Sequence, residues 1–226
     1  MFDFDLMTSM LPALAKGASL TLQLTATIIV FGTLLSLPIA VAKNARFVLC
    51  RGIAQGYIMF FRGTPSLVQV FLLYFGAGQF QVIQESVLWP VLRDPFWCVV
   101  IALSLNTAAY TGKTLAAALA TIPKGIKEAC FSLGLSRVQA FWTVDVRLAF
   151  RAALPAFGND IIMTCKATSL ASTVTLMELT GTARLLSSET YAPFEVFTAA
   201  GLIYLFINYS LTFVVRHIER HFARAA

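Results

Sequence analysis

"FWCVVIALSLNTAAYTGKTLAAALA", residues 96–120, is a nearly unbroken run of apolar and small side chains. It contains Gly-Lys-Thr at 112–114, the tripeptide that closes a nucleotide-binding P-loop of the form G-x-x-x-x-G-K-[ST]. The first glycine of such a loop would stand at position 107, where this chain has Thr107. No polar loop leads from a strand into a helix here, so backbone N–H groups cannot close around a phosphate. The run therefore predicts a helix in an apolar environment and not a nucleotide site.

The composition of the whole chain indicates a membrane protein. Its 226 residues are 58% hydrophobic and 12% charged, with a mean hydropathy of +0.77. A soluble domain carries roughly 25% charged residues. Apolar stretches near the roughly 20 residues that span a bilayer recur along the chain, and short alternating segments typical of a barrel do not. We predict one all-α membrane domain over 1–226, with five spans at about 18–42, 53–80, 96–120, 157–180 and 194–215.

The start of the chain and its cysteines and histidines predict no additional site. "MFDFDLM" is acidic where a secretory signal is basic, so we expect the first apolar stretch to be retained. The cysteines are scattered without the paired spacing of a metal or disulfide framework: Cys50, Cys98, Cys130 and Cys165. His217 and His221 lie four residues apart in a basic C-terminal segment, where a solvated charged end is favoured over a metal pair.

The distribution of charge predicts the topology. Basic residues follow the first, third and last spans: Lys43, Arg46, Arg51, Lys124, Lys127, Arg137, Arg147, Arg151, Arg216, Arg220 and Arg224. The alternate segments are mainly acidic: Asp3, Asp5, Glu85, Asp94, Glu189 and Glu195, against Lys16, Arg93 and Arg184. By the positive-inside rule the N-terminus lies outside and the C-terminus in the cytoplasm, which requires an odd number of spans. The net charge of +6 thus indicates membrane orientation and not nucleic-acid binding.

The second span is entered through "RGTPSLVQVFLLYFG", residues 62–76, which allows two structures. Thr64 could cap a short helix that starts at Pro65. Alternatively, one helix runs from about Ile53 and kinks at Pro65, because the proline ring clashes with the carbonyl of Phe61. We favour the kinked helix, with Arg62 near the cytoplasmic face and its side chain reaching water.

The long connection at about 121–154 predicts a cytoplasmic platform. A short helix fits between Gly125 and Gly134, and Gly134 suits a left-handed C-terminal cap. Apolar residues near helical spacing then predict a second, amphipathic helix that ends at Pro155: Val138, Phe141, Trp142 and Val146. An interfacial linker without a partner is the alternative. A soluble partner could push against such a platform.

Polar residues inside the third and fourth spans predict a route for a polar solute. Asn106, Tyr110 and Lys113 share one helix face, because they are spaced i, i+4 and i+7. Neighbouring threonines could instead serve helix packing, and Lys113 could reach the cytoplasmic surface. The fourth span adds Asn159, Asp160, Lys166, Thr168, Ser169 and Glu178. No side-chain set suited to catalysis is present, so we expect no enzyme.

Several motifs together resemble one family. Phe61, Arg62, Gly63, Thr64, Pro65, Leu67 and Gln69 fit F-R-G-T-P-x-L-x-Q; Glu128, Ala129, Cys130 and Gly134 fit E-A-A followed by G; Leu154–Asp160 and Lys166–Leu170 fit L-P-A-[FY]-x-N-[DE] and [KH]-x-T-[SA]-L. Over nearly its whole length the chain resembles the permease subunits of polar amino acid ABC importers, of the histidine/lysine/arginine/ornithine or opine type. The resemblance implies a subunit of the bacterial inner membrane that holds no cofactor itself.

The resemblance also implies partners and sites. The partners are an ATPase dimer that binds Mg-ATP, a second related permease or a second copy, a periplasmic solute-binding protein and the bilayer, and no nucleic acid. The implied ATPase-coupling residues are Lys124, Gly125, Glu128, Ala129, Cys130, Gly134 and Ser136. The candidates for the translocation path are Arg62, Thr64, Gln69, Asn106, Tyr110, Lys113, Asn159, Asp160, Lys166, Thr168 and Ser169.

Two departures from the family pattern bear on mechanism. The coupling motif usually continues to I-x-L-P, whereas this chain has Val-Asp-Val-Arg at 144–147. Relatives often carry Glu where this chain has Lys113, so a zwitterionic amino acid or an opine becomes more plausible as substrate.

The alternative function is a stand-alone ion-coupled carrier or channel. Such carriers are often built from internal repeats, which this chain lacks.

Overall fold

The computed structural model describes the backbone of residues 4–224 and the side chains of residues 5–221. Every regular element within that range is helical, which confirms the predicted all-α class. Asp3 and the side chain of Arg224, which contributed to the charge pattern, lie outside the described part.

In chain order, the α-helices are α1 (Phe4–Lys43), α2 (Val48–Gly63), α3 (Ser66–Tyr74), α4 (Gln81–Gln84), α5 (Trp89–Leu92), α6 (Pro95–Ala120), α7 (Lys124–Ser132), α8 (Arg137–Ala140), α9 (Val146–Ala167), α10 (Leu179–Thr190) and α11 (Pro193–Arg224). Short 3₁₀ segments lie at Ala77–Gln79 and Thr168–Val174, and a π-helical turn at Phe141–Asp145 joins α8 to α9. The segments between the second and third predicted spans and between the fourth and fifth therefore contain helical structure.

Length and composition alone identify fewer membrane spans than the five predicted. Within the described residues, Asp5–Lys43 and Pro193–His221 are long and apolar enough to cross a bilayer. Helix α2 and the segment Ser66–Gln79 would add a third if they form one span. Helix α6 has 26 residues, but polar side chains such as Asn106 and Lys113 lower its hydropathy. The number of spans remains a prediction.

Helix α1 forms the axis of the fold, and its main neighbour is α6. The two backbones approach closely at glycines. A Cβ atom on Gly112 would lie 3.0 Å from Cγ2 of Ile39 and 3.2 Å from the carbonyl oxygen of Ser36. A Cβ atom on Gly32 would lie 2.9 Å from Cγ2 of Thr107. The glycine of the P-loop-like tripeptide is therefore a packing residue between helices.

Several threonine hydroxyl groups of α1 donate to carbonyl groups of the helix itself, and the hydroxyl of Thr21 also lies 3.3 Å from Glu178 Oε2. The hydroxyl of Thr21 donates to the carbonyl of Gly17 (3.2 Å), and that of Thr25 donates to the carbonyl of Thr21 (2.7 Å). The hydroxyl of Thr27 donates to the carbonyl of Gln23 in the same way. These bonds let a helix with several threonines remain compatible with an apolar environment.

The helix through Pro65 is broken, not kinked as we favoured. Helix α2 ends at Gly63, α3 begins at Ser66, and the chain turns by 99° between them. Thr64 and Pro65 both have extended backbones, with ψ of 144° and 134°. The residue before a proline is biased away from helical geometry, so Thr64 ends α2 and Pro65 is the N-cap of α3.

Pro155 does not end the second helix of the 121–154 connection, contrary to our expectation. Helix α9 continues through Pro155 to Ala167. Ala149, Ala153 and Phe157 are buried on both sides of the proline, in a cluster shared with α1 and α6. This packing outweighs the roughly 3 kcal/mol that an interior proline costs. The predicted span 157–180 is instead interrupted at the 3₁₀ segment, after which Thr175 has a φ of 68°.

The glycine turn after α7 is confirmed. Gly134 has a φ of +79°, in the left-handed region that glycine occupies without steric cost. The N–H of Leu135 donates to the carbonyl of Cys130 across this turn (3.0 Å). Ser136 then begins α8 with a capping box, in which its side chain and that of Gln139 bond to each other's backbone N–H. Helices α7 and α8 thus meet through a compact turn.

A buried carboxyl group joins α10 to the rest of the fold. Glu178 is fully buried and accepts hydrogen bonds from the N–H groups of Thr180 and Gly181, and from the hydroxyls of Tyr204 and Thr21. It therefore caps α10 and links it to α11 and α1. The sequence placed Glu178 in a span and predicted no such role.

We expect Glu178→Ala to destabilise the protein strongly, because it leaves several buried donors without an acceptor. A loss of about 3 kcal/mol corresponds to a melting temperature lower by roughly 6–12 °C. Thermal unfolding of the protein in detergent measures this. Glu189→Ala, at an exposed position of the same helix, is the control. Equal melting temperatures for the two variants would contradict the assigned role of Glu178.

Candidate functional site

A cavity of about 270 Å³ lies between α6 and α9, beside the start of α3. It is lined by Ser66, Leu103, Asn106, Thr107, Tyr110, Asn159, Asp160, Met163, Thr164 and Ala167. Apolar side chains with a few polar groups are typical of small-molecule sites, and the volume is near the lower end of the usual range of about 300–1,000 Å³. The cavity suits a small polar molecule.

Asp160 is the charged residue among those lining the cavity. Its Oδ2 atom accepts a hydrogen bond from the hydroxyl of Thr111 (3.0 Å). Within the described residues, its Oδ1 atom has no hydrogen-bond partner and no cation lies within ion-pair distance. A half-satisfied carboxylate beside a cavity can accept hydrogen bonds from a positively charged ligand group.

The break between α2 and α3 gives the cavity a fixed polar wall. The carbonyl of Phe61 would normally accept from the residue four positions later, which is Pro65 and has no N–H. Asn106 Nδ2 (2.9 Å) and Gln69 Nε2 (3.0 Å) donate to this carbonyl instead. Asn106 also donates to Gln69 Oε1 (2.9 Å), and Gln69 to Thr64 Oγ1 (2.7 Å). These hydrogen bonds to Phe61 and Gln69 therefore fix the orientation of the Asn106 side chain in the cavity.

Arg62 lies at the edge of the same region. Its guanidinium carbon is 4.7 Å from the centre of the Tyr110 ring, a cation–π distance. Tyr110 is 39% exposed and also lines the cavity. Arg62 therefore adds a positive group near a site whose lining carries the Asp160 carboxylate.

The structure brings together only part of the predicted path. The cavity region gathers Arg62, Thr64, Gln69, Asn106, Tyr110, Asn159 and Asp160. Lys113 and Lys166 are exposed and do not line the cavity. Thr168 and Ser169 also lie outside it, and their hydroxyls donate to the carbonyls of Cys165 and Lys166. Roles for these residues in a path remain predictions.

Sequence reasoning did not select three polar residues of the cavity lining. Ser66 begins α3, and its placement depends on the unexpected helix break. Thr107 and Thr164 face each other across α6 and α9, with their hydroxyl oxygens 3.4 Å apart. Thr164 lies four residues after Asp160, so helical spacing was the signal that could have identified it.

A second candidate site, after the cavity, is the exposed helix α7 together with the turn that follows it. Lys124, Gly125, Glu128 and Ala129 are exposed, whereas Cys130 is buried. Large apolar side chains around this helix are also exposed: Phe131 (48%), Leu133 (81%), Val138 (67%) and Trp142 (56%). Such a mixed apolar and charged surface is typical of a protein interface.

Comparison with known proteins matches residues 29–224 to the family described as "Binding-protein-dependent transport system inner membrane component". The match covers most of the chain, including the cavity and α7. The chain belongs to this family of membrane transport components. Together with the named relatives that follow, this match confirms the resemblance to amino acid ABC permeases.

Relatives of this permease chain are named for opine and arginine transport. It is 42% identical over 92% of its length to the octopine transport system permease protein OccM of Rhizobium radiobacter, of which it covers 85%. It is 40% identical to the nopaline permease NocM of Agrobacterium fabrum, over 96% of this chain and 90% of that protein. It is also 40% identical to the arginine permease ArtM of Escherichia coli, over 93% and 94%.

Solved structures agree with this assignment. The permease chain superposes on a chain of an amino acid ABC transporter crystallised with histidines, with a TM-score of 0.84 and 30% identity over 98% of this chain and 99% of that one. The MetNI methionine transporter shares the fold, with a TM-score of 0.72 at 16% identity over 95% and 98%.

Proposed function

We propose that this chain is a transmembrane subunit of an ATP-driven importer that carries polar amino acids or their derivatives across the bacterial inner membrane. Its relatives are permeases for octopine, nopaline and arginine. The observation that carries the proposal is the cavity in which Asp160 stands among neutral polar groups. The chain itself catalyses no reaction and binds no cofactor.

The substrate class follows from the cavity. The free oxygen of Asp160 suits an ammonium or guanidinium group, and the amides of Asn106 and Asn159 suit a carboxylate or a polar side chain. Arg62 at the edge can pair with a second carboxylate. A basic amino acid or an opine, which joins a basic amino acid to an added carboxylate, fits this set of groups.

The proposed membrane arrangement has five spans with the N-terminus outside. The spans are α1, the broken pair α2 and α3, α6, the segment from α9 through the 3₁₀ turn, and α11. Residues 1–226 then form one transmembrane domain. This arrangement places α7 and residues 121–154 in the cytoplasm, where the positive-inside pattern expects them.

The proposed assembly contains an ATPase dimer, which binds and hydrolyses Mg-ATP, and an external solute-binding protein. A related permease completes the path as a heterodimer, or a second copy of this chain does so as a homodimer. ATPase contacts are assigned to Lys124, Gly125, Glu128, Ala129, Cys130, Gly134 and Ser136. Most of these residues are exposed on or beside α7.

The first experiment is mild detergent purification of tagged chain from its native membrane, with mass spectrometry of the proteins that accompany it. We expect an ATPase with a complete P-loop and a second permease, together with amino acid uptake that stops on ATP depletion. Recovery of the chain alone, with uptake that follows an ion gradient and is insensitive to ATP depletion, would instead support the stand-alone carrier.

A further inference from the structure

The turn between α1 and α2 concentrates positive charge without a compensating acid. Lys43, Arg46 and Arg51 lie within nine residues of sequence, and no Asp or Glu occurs between Asp5 and Glu85. Helix α6, which packs against both α1 and α2, contains no acidic residue either. The positive charge at this turn is therefore not neutralised by the helices against which α2 packs.

A hydrogen bond between the two helices brings these cations to one region. Lys43 Nζ donates to Gln55 Oε1 (2.7 Å). Gln55 lies one turn after Arg51 on the same face of α2, so the ammonium group of α1 is held beside the face that carries Arg51. Arg46 lies in the turn itself, and both arginines are exposed. Within residues 5–221, neither guanidinium group has a hydrogen-bond or ion-pair partner.

The same turn joins two segments that can cross a bilayer. Asp5–Lys43 is long and apolar enough to span a membrane, and α2 begins the bent pair that would form the next span. Phe47, Val48 and Leu49, which directly follow Arg46, are 76%, 71% and 75% exposed. Exposed apolar side chains beside cations are typical of a segment at the membrane surface, where the apolar groups contact acyl chains and the cations stay among the headgroups.

We propose that Lys43, Arg46 and Arg51 bind the phosphate group of an anionic phospholipid, whose acyl chains lie against residues 47–49. A guanidinium group can donate two parallel hydrogen bonds to a phosphate, and the unpaired arginines beside an ammonium group complement its negative charge. Basic groups between membrane helices on the cytoplasmic side are suited to anionic headgroups. The site goes beyond transport, because it requires only that the turn lies at the bilayer surface.

The test measures lipid binding to the full chain, purified in mild detergent with the subunits that accompany it. Native mass spectrometry counts the bound molecules of phosphatidylglycerol, which carries a net negative charge, and of phosphatidylcholine, which is neutral overall. We expect Arg46→Gln/Arg51→Gln to lose one bound phosphatidylglycerol per copy of the chain and to leave phosphatidylcholine binding unchanged. Arg46→Lys/Arg51→Lys keeps the charge and should retain most of the phosphatidylglycerol binding.

Arg216→Gln/Arg220→Gln is the matched control, because it removes the same charge from exposed positions near the C-terminal end of α11, where Glu219 lies between the two arginines. Equal loss of phosphatidylglycerol from both glutamine double variants would indicate diffuse attraction and overturn the site. Equal loss of the two lipids from the Arg46→Gln/Arg51→Gln variant would overturn the role of the net negative charge. Displacement of the bound lipid by inorganic phosphate would indicate a site for free anions instead of a phospholipid.

Discussion

Glu128→Arg should abolish ATP-driven uptake while the chain still inserts and folds. Glu128 is exposed on α7 and makes no hydrogen bond or ion pair with its side chain in the described structure. The change therefore removes nothing that holds the chain together. At an interface, reversing a charge sets like charges against each other and can weaken binding by several kcal/mol. We expect uptake to fall roughly 100-fold or more.

Radiolabelled uptake in membrane vesicles, normalised to the amount of inserted chain, measures this effect. Glu189→Arg is the matched control, because Glu189 is also exposed but lies on α10 and not on α7. Gly134→Leu is an independent test of the same surface, because a side chain is strained at a φ of +79°. Gly201→Leu, in open space on α11, controls for the added bulk. Normal uptake by both Glu128→Arg and Gly134→Leu would exclude α7 from coupling.

Asp160→Asn should have the largest effect on substrate recognition. It keeps the shape of the side chain and can keep the hydrogen bond from Thr111, but it removes the charged group from the cavity lining. Loss of one partner of a desolvated charge pair costs about 2–5 kcal/mol. We therefore expect the KM for a cationic amino acid to rise by ~30-fold or more.

Initial uptake rates over a range of substrate concentrations test this prediction, with the ATPase activity of the complex as a check on assembly. Thr173→Val is a suitable control, because its hydroxyl bonds within its own 3₁₀ segment and does not line the cavity. Asn159→Ala should change the substrate preference more than the maximal rate. If Asp160→Asn leaves the KM unchanged, the cavity is not where the cationic group binds.

The sequence was sufficient to predict structural features that depend on the surrounding solvent or on the conformational preference of a single residue. The low charge content and the long apolar runs predicted helices, because a backbone in lipid must form hydrogen bonds among its own N–H and C=O groups. The left-handed turn at Gly134 followed from the properties of glycine. The shared face of Asn106 and Tyr110 followed from helical spacing, and both residues line the cavity.

Other features depended on tertiary contacts that local patterns do not contain. Pro155 was expected to end a helix, but buried neighbours from α1 and α6 keep the helix continuous. At Pro65 the chain breaks completely, because Asn106 and Gln69 are available to satisfy the carbonyl of Phe61. Glu178 caps α10 only because Thr21 and Tyr204 lie beside it. Each outcome depends on at least one residue that is distant in the sequence, such as Asn106 for the break at Pro65 and Thr21 for Glu178.

The hydroxyl-to-carbonyl bonds within α1 have a consequence for biosynthesis. The ribosome must add 77 residues after Lys43 before Ala120, the end of α6, is made. At about 5–20 residues per second this takes roughly 4–15 seconds. During that interval α6 is absent, and so are Glu178 and Leu179, which bond to Thr21 in the folded chain. The hydroxyls of Thr21 and Thr25 already bond to carbonyls one turn earlier in the same helix. We therefore expect the nascent helix to be stable in lipid before α6 is inserted, without a chaperone that shields its hydroxyl groups.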